Sequence, residues 1–218
     1  MADNIKDLIE FRNIQINGCD DNRWMWPKID SGASDGPVTD WNNAHYHRYF
    51  RNVKNLGTVV TAGANMGLHV RPYANMFENV YAFEPHWLNF YCFSYNCPYP
   101  NVFKMQAALG ATCGQVDISE EPKVNMGAYT VTATQTKHSK VPMLTVDSLN
   151  LPKVDMIQLD VEGYEKNVLE GSIETLKRDK PVVVTERNRG GSEELLTNLG
   201  YVLQEKSISD YIYHHPDA

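Results

Sequence analysis

The chemistry in this sequence concentrates where a strand runs into a glycine turn. The segment Gly57-Thr58-Val59-Val60-Thr61-Ala62-Gly63-Ala64-Asn65-Met66-Gly67 reads as a β-branched run, two glycines and the start of a helix. Gly63 lets the chain turn sharply and lets a ligand approach the backbone. Gly67 suggests close approach at a helix N-terminus, where unpaired N–H groups favour an anion. Asn65 is the candidate N-cap, and Pro72 implies that the helix begins after Gly67. Glu84 ends the next strand, 21 residues after Gly63. At that spacing a carboxylate can accept both hydroxyls of a ribose, so the set points to a nucleoside cofactor. A tight structural turn beside a surface glutamate is the bland alternative.

The spacing also discriminates between cofactors. A dinucleotide fingerprint needs G-x-G-x-x-G, and here Gly63 is followed by Ala64-Asn65-Met66-Gly67. Side chains crowd the place of a pyrophosphate. S-adenosylmethionine has none, and its methionine end can lie against the loop while its ribose meets Glu84. Gln106, at the end of a further strand, can both donate to and accept from an adenine edge, or be an ordinary polar strand end. Ala107 and Ala108 would leave room for a ring.

Acids gather at two later strand ends. Asp160 and Glu162 follow the run Asp155 to Asp160, and Glu186 ends Pro181 to Glu186. In an open α/β sheet, ligands lie over such ends. Asp160 is the first candidate for a base or positioning group, Glu186 the second, and Glu162 the third. Glu162 and Glu165 also read as acids favoured by a helix dipole. Carboxylates so grouped can alternatively hold Mg²⁺, although no His or Asn joins them at obvious spacing. In the first 56 residues Trp24, Trp26, Trp41, His45, Tyr46 and His47 offer aromatic faces and titratable groups for an acceptor, or plain packing. Asn125-Met126-Gly127 reads as a turn or as a cover over the pocket.

Alternating strands and helices must carry these residues. Strands are expected at 58–61, 80–83, 102–106, 155–160 and 181–186, with helices at 86–96, 163–177 and from Ser192 to a C-cap at Gly200. Pro85 helps stop the second strand. Helical crossovers imply parallel pairing, hence a doubly wound α/β sheet. Gln115 to Ser119, Ala128 to Thr134 and Val141 to Val146 are β-prone with no helix between them, which predicts a hairpin-like insertion. The tail, 201–204 and 211–213, predicts two strands antiparallel to each other. A short helix is expected over 40–53.

Composition bounds the rest. The chain has 218 residues, 42% hydrophobic and 22% charged, with a net charge of −7. That balance argues against nonspecific binding to nucleic acid or to anionic membrane. No apolar run approaches the ~18 residues of a membrane helix. The N-terminus lacks the basic-then-apolar design of a secretory signal. Cys19, Cys92, Cys97 and Cys113 form no CxxC pair and are expected as reduced thiols in a cytoplasmic protein.

Beyond single motifs, the sequence resembles the FkbM-type family of S-adenosylmethionine-dependent methyltransferases. The matching residues are Ala62 to Gly67; Val80-Tyr81-Ala82-Phe83-Glu84-Pro85 with Asn89-Phe90 and Asn96; Ala107 to Gly110; Val141-Pro142 with Thr145 to Leu149; Gln158 to Glu165 with Val168 to Gly171; and Pro181 to Glu186. The resemblance implies a Rossmann-like class I methyltransferase sheet over 57–218, mostly parallel with antiparallel C-terminal strands. Residues 1–56 become an extension that does not fold alone and covers the acceptor side. It implies S-adenosylmethionine held by Thr61, Ala62, Gly63, Ala64, Asn65, Gly67, Glu84, Pro85, Gln106, Ala107 and Asp160. Where this chain has Thr61, the family usually carries an acid that helps hold the methionine amino group.

The implied reaction is methyl transfer to a hydroxyl of a small molecule or saccharide, with Asp160, Glu186 and Glu162 as catalytic candidates. Nucleic acid is not expected as a substrate, since the chain is acidic and has no Asn-Pro-Pro-Tyr type motif. Two other readings compete. One is a noncatalytic module of the same fold. The other is a nicotinamide-dependent oxidoreductase, disfavoured by the missing middle glycine and the lack of a Tyr-x-x-x-Lys pair.

Overall fold

The structure is a computed structural model that describes residues 4–16, 19, 21–30, 48–50, 53–119, 138–186, 191–207 and 210–218. Its centre is a seven-stranded sheet in the order β5-β4-β3-β9-β10-β12-β11. These strands are β3 (Thr58–Ala62), β4 (Asn79–Phe83), β5 (Val102–Met105), β9 (Met156–Leu159), β10 (Val182–Glu186), β11 (Val202–Lys206) and β12 (Asp210–His214). The five from β5 to β10 pair in parallel, and β12 runs antiparallel to both neighbours. The two tail strands are thus antiparallel to each other as expected, with the last strand inserted beside β10.

The runs TVVTA and VVVTE are buried along almost their whole length because helices cover both faces of a parallel sheet. Strand alternation divides them between two cores. Val60, Ala62, Ile157, Leu159 and Val183 face one, and Val59, Met156, Val182 and Val184 face the other. The chain moves outward from β3 through β4 to β5, then returns to β9 on the other side of β3. The gap between the ends of β3 and β9 is therefore the topological switch point, where open α/β sheets bind ligands.

Two helix expectations change, the Asn65 N-cap and the single helix at 163–177. The helix after Gly67 is the five-residue α2 (Val70–Ala74), which begins later than Gly67 as Pro72 implies and has His69, not Asn65, at its N-cap. Helix α3 spans Trp87–Asn96. The single helix expected at 163–177 is two, α4 (Glu165–Glu170) and α5 (Ile173–Asp179). The break falls at Gly171, where a Cβ would lie 2.0 Å from the Gly110 carbonyl oxygen. Asp147 then accepts from the backbone N–H of Glu174 and Thr175 and so caps α5. Helix α6 (Ser192–Asn198) begins at Ser192 and is closed by Gly200 at φ +87°, as expected.

The insertion is a separate three-stranded sheet. Strands β7 (Gly114–Ser119) and β8 (His138–Leu144) pair antiparallel, and the short β6 (Ala108–Leu109) joins β8 in parallel. Its middle, including Ala128 to Thr134 and Asn125-Met126-Gly127, lies outside the described residues. So do Trp41, His45, Tyr46, His47 and most of the helix expected at 40–53.

At the N-terminus, the one-turn helix α1 (Ile5–Leu8) leads into a hairpin of β1 (Ile9–Asn13) and β2 (Arg23–Pro27). It packs β2 against α3. Trp24 and Trp26 are fully buried there, with their indole N–H groups donating to the Ile14 carbonyl and to Asp30. They are core residues, so of the two readings plain packing is the one that holds for them. The cysteines are free thiols, and burial pushes Cys92 and Cys97 up to about 12. No helix among the described residues is long and apolar enough to cross a membrane.

Candidate functional site

A cleft opens at the switch point. Its walls come from the end of β3 (Ala62, Gly63, Asn65), the end of β4 (Phe83, Glu84, Pro85), Asn89 of α3, and Ala107, Ala108 and Leu109 after β5. Asp160 and Val161 border it after β9. Tyr164 and, from the insertion, Ile118 complete it. It is a groove of mainly apolar walls with a few polar groups aimed into it, the usual form of a small-molecule site.

The glycine turn is shaped by its neighbours. Gly63 has φ +81°, and a Cβ there would lie 1.8 Å from the Asp160 carbonyl oxygen. The turn needs glycine because the chain leaving β9 passes against it. The amides of Gly63 and Ala64 both donate to the Phe83 carbonyl at 3.0 Å. Asn65 (φ +52°) donates its amide to Glu84 Oε2 at 2.7 Å, and the other Glu84 oxygen accepts from the His86 amide at 2.9 Å. Burial pushes Glu84 up to about 7, while these two backbone bonds and the Asn89 side chain pull the other way. Two backbone N–H groups and the Asn89 side chain occupy three of roughly four acceptor positions on the carboxylate, which leaves one for a ligand hydroxyl. Among the described residues Asn65 Oδ1 is buried without a partner, which suits a donor from a ligand.

Across the cleft lies a set of acids. Oxygens of Asp160, Glu162 and Glu186 come within 4.8 Å of one another. Burial raises Asp160 well above the ordinary carboxylate range, and Glu186, Glu162, Asp210 and Glu165 push it further. Glu162 sits at φ +53° in the turn after β9. Glu165 is buried, and its carboxylate accepts from the amides of Val161 and Gly163, so it ties down that turn.

Several expected ligand contacts lie elsewhere. Thr61 is one residue before Ala62, so alternation points it to the opposite face of the sheet, where its hydroxyl donates to Gln158. Ala64 packs in the second core. Gly67 lies outside the cleft, and its missing Cβ makes room for the Cys97 sulfur and the Phe93 ring. With α2 beginning only at Val70, no helix N-terminus faces an anion at Gly67. Gln106 is exposed past the end of β5, while Ala107 is buried in the wall. Glu162 and Glu186 adjoin Asp160 without lining the cleft.

Sequence reading missed Asn89, Tyr49 and Asp210. Asn89 follows Glu84 by five residues on α3, a spacing that a strand-to-helix reading could have flagged. Tyr49 is buried and hydrogen-bonded to the Asp210 carboxylate. Burial first, then Asp210, hold its hydroxyl well above the ordinary tyrosine range. These two meet only through the folded chain, and no local signal announces them. Tyr49 is the one described residue of the first 56 seen beside the acidic set; none of the described ones lines the cleft.

The fold matches solved methyltransferases. A methyltransferase FkbM from Methylobacillus flagellatus KT aligns over 82% of this chain and 52% of its own, at 16% identity and a TM-score of 0.52. The T. Thermophilus 16S rRNA N2 G1207 methyltransferase, solved with AdoMet and guanosine, aligns over 95% of this chain and 50% of its own, at 13% identity and a TM-score of 0.54. The chain thus spans about half the length of each. No curated protein matches the sequence. The model of the methyltransferase FkbM domain matches residues 30–205, which contain every wall of the cleft and the whole acidic set, and the chain belongs to that family.

Proposed function

We propose that the chain is an S-adenosylmethionine-dependent methyltransferase that methylates a hydroxyl of a small molecule or saccharide. The observation that carries this reading is Glu84, buried at the switch point with one acceptor position left on its carboxylate, beside an apolar slot walled by Ala107 and Ala108. Glu84 binds a ribose hydroxyl. Asn65 Oδ1 accepts from the methionine amino group, in place of the acid that Thr61 does not supply. Bound there, the cofactor supplies a methyl carbon on a cationic sulfur, open to in-line attack.

Asp160 stands at the edge of the cleft to take the proton that an attacking hydroxyl gives up. Its raised affinity for protons makes it a stronger base than an ordinary aspartate, and a nearby sulfonium favours its ionised form. Glu186 and Glu162 hold up that affinity by repulsion. Tyr164 and Ile118 keep water from one side of the slot.

Calorimetry with S-adenosylmethionine, S-adenosylhomocysteine and NAD tests the reading. Binding of the first two without NAD supports it. NAD binding alone overturns it in favour of an oxidoreductase. Proximity of three carboxylate oxygens favours a second route in which Mg²⁺ holds the acceptor at Asp160, Glu162 and Glu186. Methyl transfer that survives EDTA removes that route; transfer restored only by Mg²⁺ establishes it.

A further inference from the structure

The cofactor loop is held from both sides. On the inner side, Phe83 and Glu84 bind the amides of residues 63–65. The outer side belongs to the N-terminal hairpin, which lies ahead of the residues matched by the family model.

Three observations join hairpin and loop. First, Asn96, buried at the end of α3, exchanges two hydrogen bonds with Met25 of β2: its Oδ1 accepts from the Met25 amide at 2.7 Å and its Nδ2 donates to the Met25 carbonyl at 3.0 Å. The same Nδ2 donates to the Met66 carbonyl at 2.9 Å. One amide group therefore continues the edge of β2 and ends on the residue after Asn65. Second, Arg71 of α2 is buried, with its guanidinium 3.7 Å from the Trp24 ring centre. It donates to the carbonyls of Asn96, Asp21 and Arg23. Its own amide bonds the Gly67 carbonyl at 3.0 Å, so the helix that follows the loop is anchored to the hairpin. Third, the Met66 side chain is buried in a cluster with Ile14, Trp24, Trp26, Leu88 and Cys92. The hairpin and its loop supply Ile14, Ile16, Trp24, Met25 and Trp26 to that cluster.

The loop needs such support. Gly63, Asn65 and Gly67 all have positive φ, so no helix or strand ladder holds them. We propose that the N-terminal hairpin is a clamp on the cofactor loop, with Asn96 and Arg71 as positioning residues that set Asn65 and Glu84 for the ligand. The ligand named in the test rests on the methyltransferase reading above; the clamp itself does not.

The test uses the full chain and compares Asn96→Ala and Arg71→Lys with a control, Asn101→Ala. Asn101 also donates to two backbone carbonyls, of Ala74 at the end of α2 and of Phe77, but these bonds reach neither the hairpin nor residues 63–68. Hydrogen exchange of residues 63–68 is read without ligand, and S-adenosylhomocysteine affinity by calorimetry. The clamp requires faster exchange in that segment and at least tenfold weaker binding in Asn96→Ala, with neither change in Asn101→Ala. Arg71→Lys, which keeps the charge but loses the fork, shows the same pattern and serves if Asn96→Ala does not fold. Wild-type exchange or wild-type affinity in a folded Asn96→Ala overturns the proposal. Equal effects in Asn101→Ala overturn it too, since they would mean general loosening. If the wild type binds neither S-adenosylmethionine nor S-adenosylhomocysteine, the methyltransferase reading fails instead, and exchange alone decides the clamp.

Discussion

Glu84 joins the structure of the turn to the proposed ligand site. Its carboxylate ties the end of β4 to the glycine turn through Asn65 and His86, and it remains open to the cleft. A bond from a ribose hydroxyl to a charged acceptor contributes about 1.5–3 kcal/mol. Glu84→Ala is therefore expected to weaken S-adenosylmethionine binding by tenfold or more in calorimetry, and unchanged affinity refutes the ribose assignment. The raised acids carry a second prediction. An acid whose folded pKa exceeds its unfolded one binds more protons when folded, so its contribution to stability falls as pH rises between the two values. For Glu84 that window runs from 4.5 to about 7, and Asp160 shifts in the same direction. Asp160→Asn removes one such term, so its urea midpoint relative to wild type should rise from pH 5 to pH 7.5. A difference that stays constant across that range contradicts an Asp160 that holds its proton more tightly when folded.

At the scale of elements, the ends of β3 and β9 meet so closely that one glycine decides whether they can. Two alanine substitutions separate the causes. Gly163 has φ +94° and open space around it, whereas Gly63 has φ +81° and the Asp160 carbonyl where a Cβ would go. Left-handed backbone alone costs about 1–2 kcal/mol, and overpacking adds about 1–3 kcal/mol. Gly163→Ala should lose only the first amount in urea unfolding, and Gly63→Ala both, together with ligand binding. Equal losses would mean that the close approach is not rigid. The element predictions that failed share a cause. The helix expected at 163–177 is periodic in its apolar residues, and nothing local marks Gly171 as a contact with the distant Gly110. Thr61 lies next to the cleft in sequence but faces away, because its partner Gln158 sits on the neighbouring strand.

For the whole molecule, burial and charge set the terms. A ligand bound only by the folded chain stabilises it by about 2.7 kcal/mol at a hundred times its Kd. For a domain of this size that corresponds to a rise in Tm of roughly 5–10 °C. S-adenosylhomocysteine should produce that rise and NAD none; the reverse would favour the nicotinamide reading. The charge of −7 adds an expectation about partners. RNA and DNA of arbitrary sequence should not be retained in filter binding at physiological salt, because a polyanion gains little from this surface. Retention there would move the acceptor from small molecule or saccharide to nucleic acid.

Local sequence determined much of this protein by itself. Periodicity placed the parallel strands, since runs such as VVVTE are stable only when covered on both faces. Positive-φ demands singled out Gly63, and the distance from it to Glu84 marked a cofactor site, because that stretch is one strand, turn and helix of a βαβ unit. Other features depend on which face a residue takes and on what arrives from afar. Thr61 and Gly67 left the site, and Gly67 joined a helix contact. Asn89 entered through α3, Tyr49 and Asp210 gathered near Asp160, and Trp24 and Trp26 became the core of a hairpin joined to the cofactor loop. Those placements arise from contacts between residues distant in sequence, where burial and hydrogen bonding outweigh local preference, and only the tertiary structure decides them.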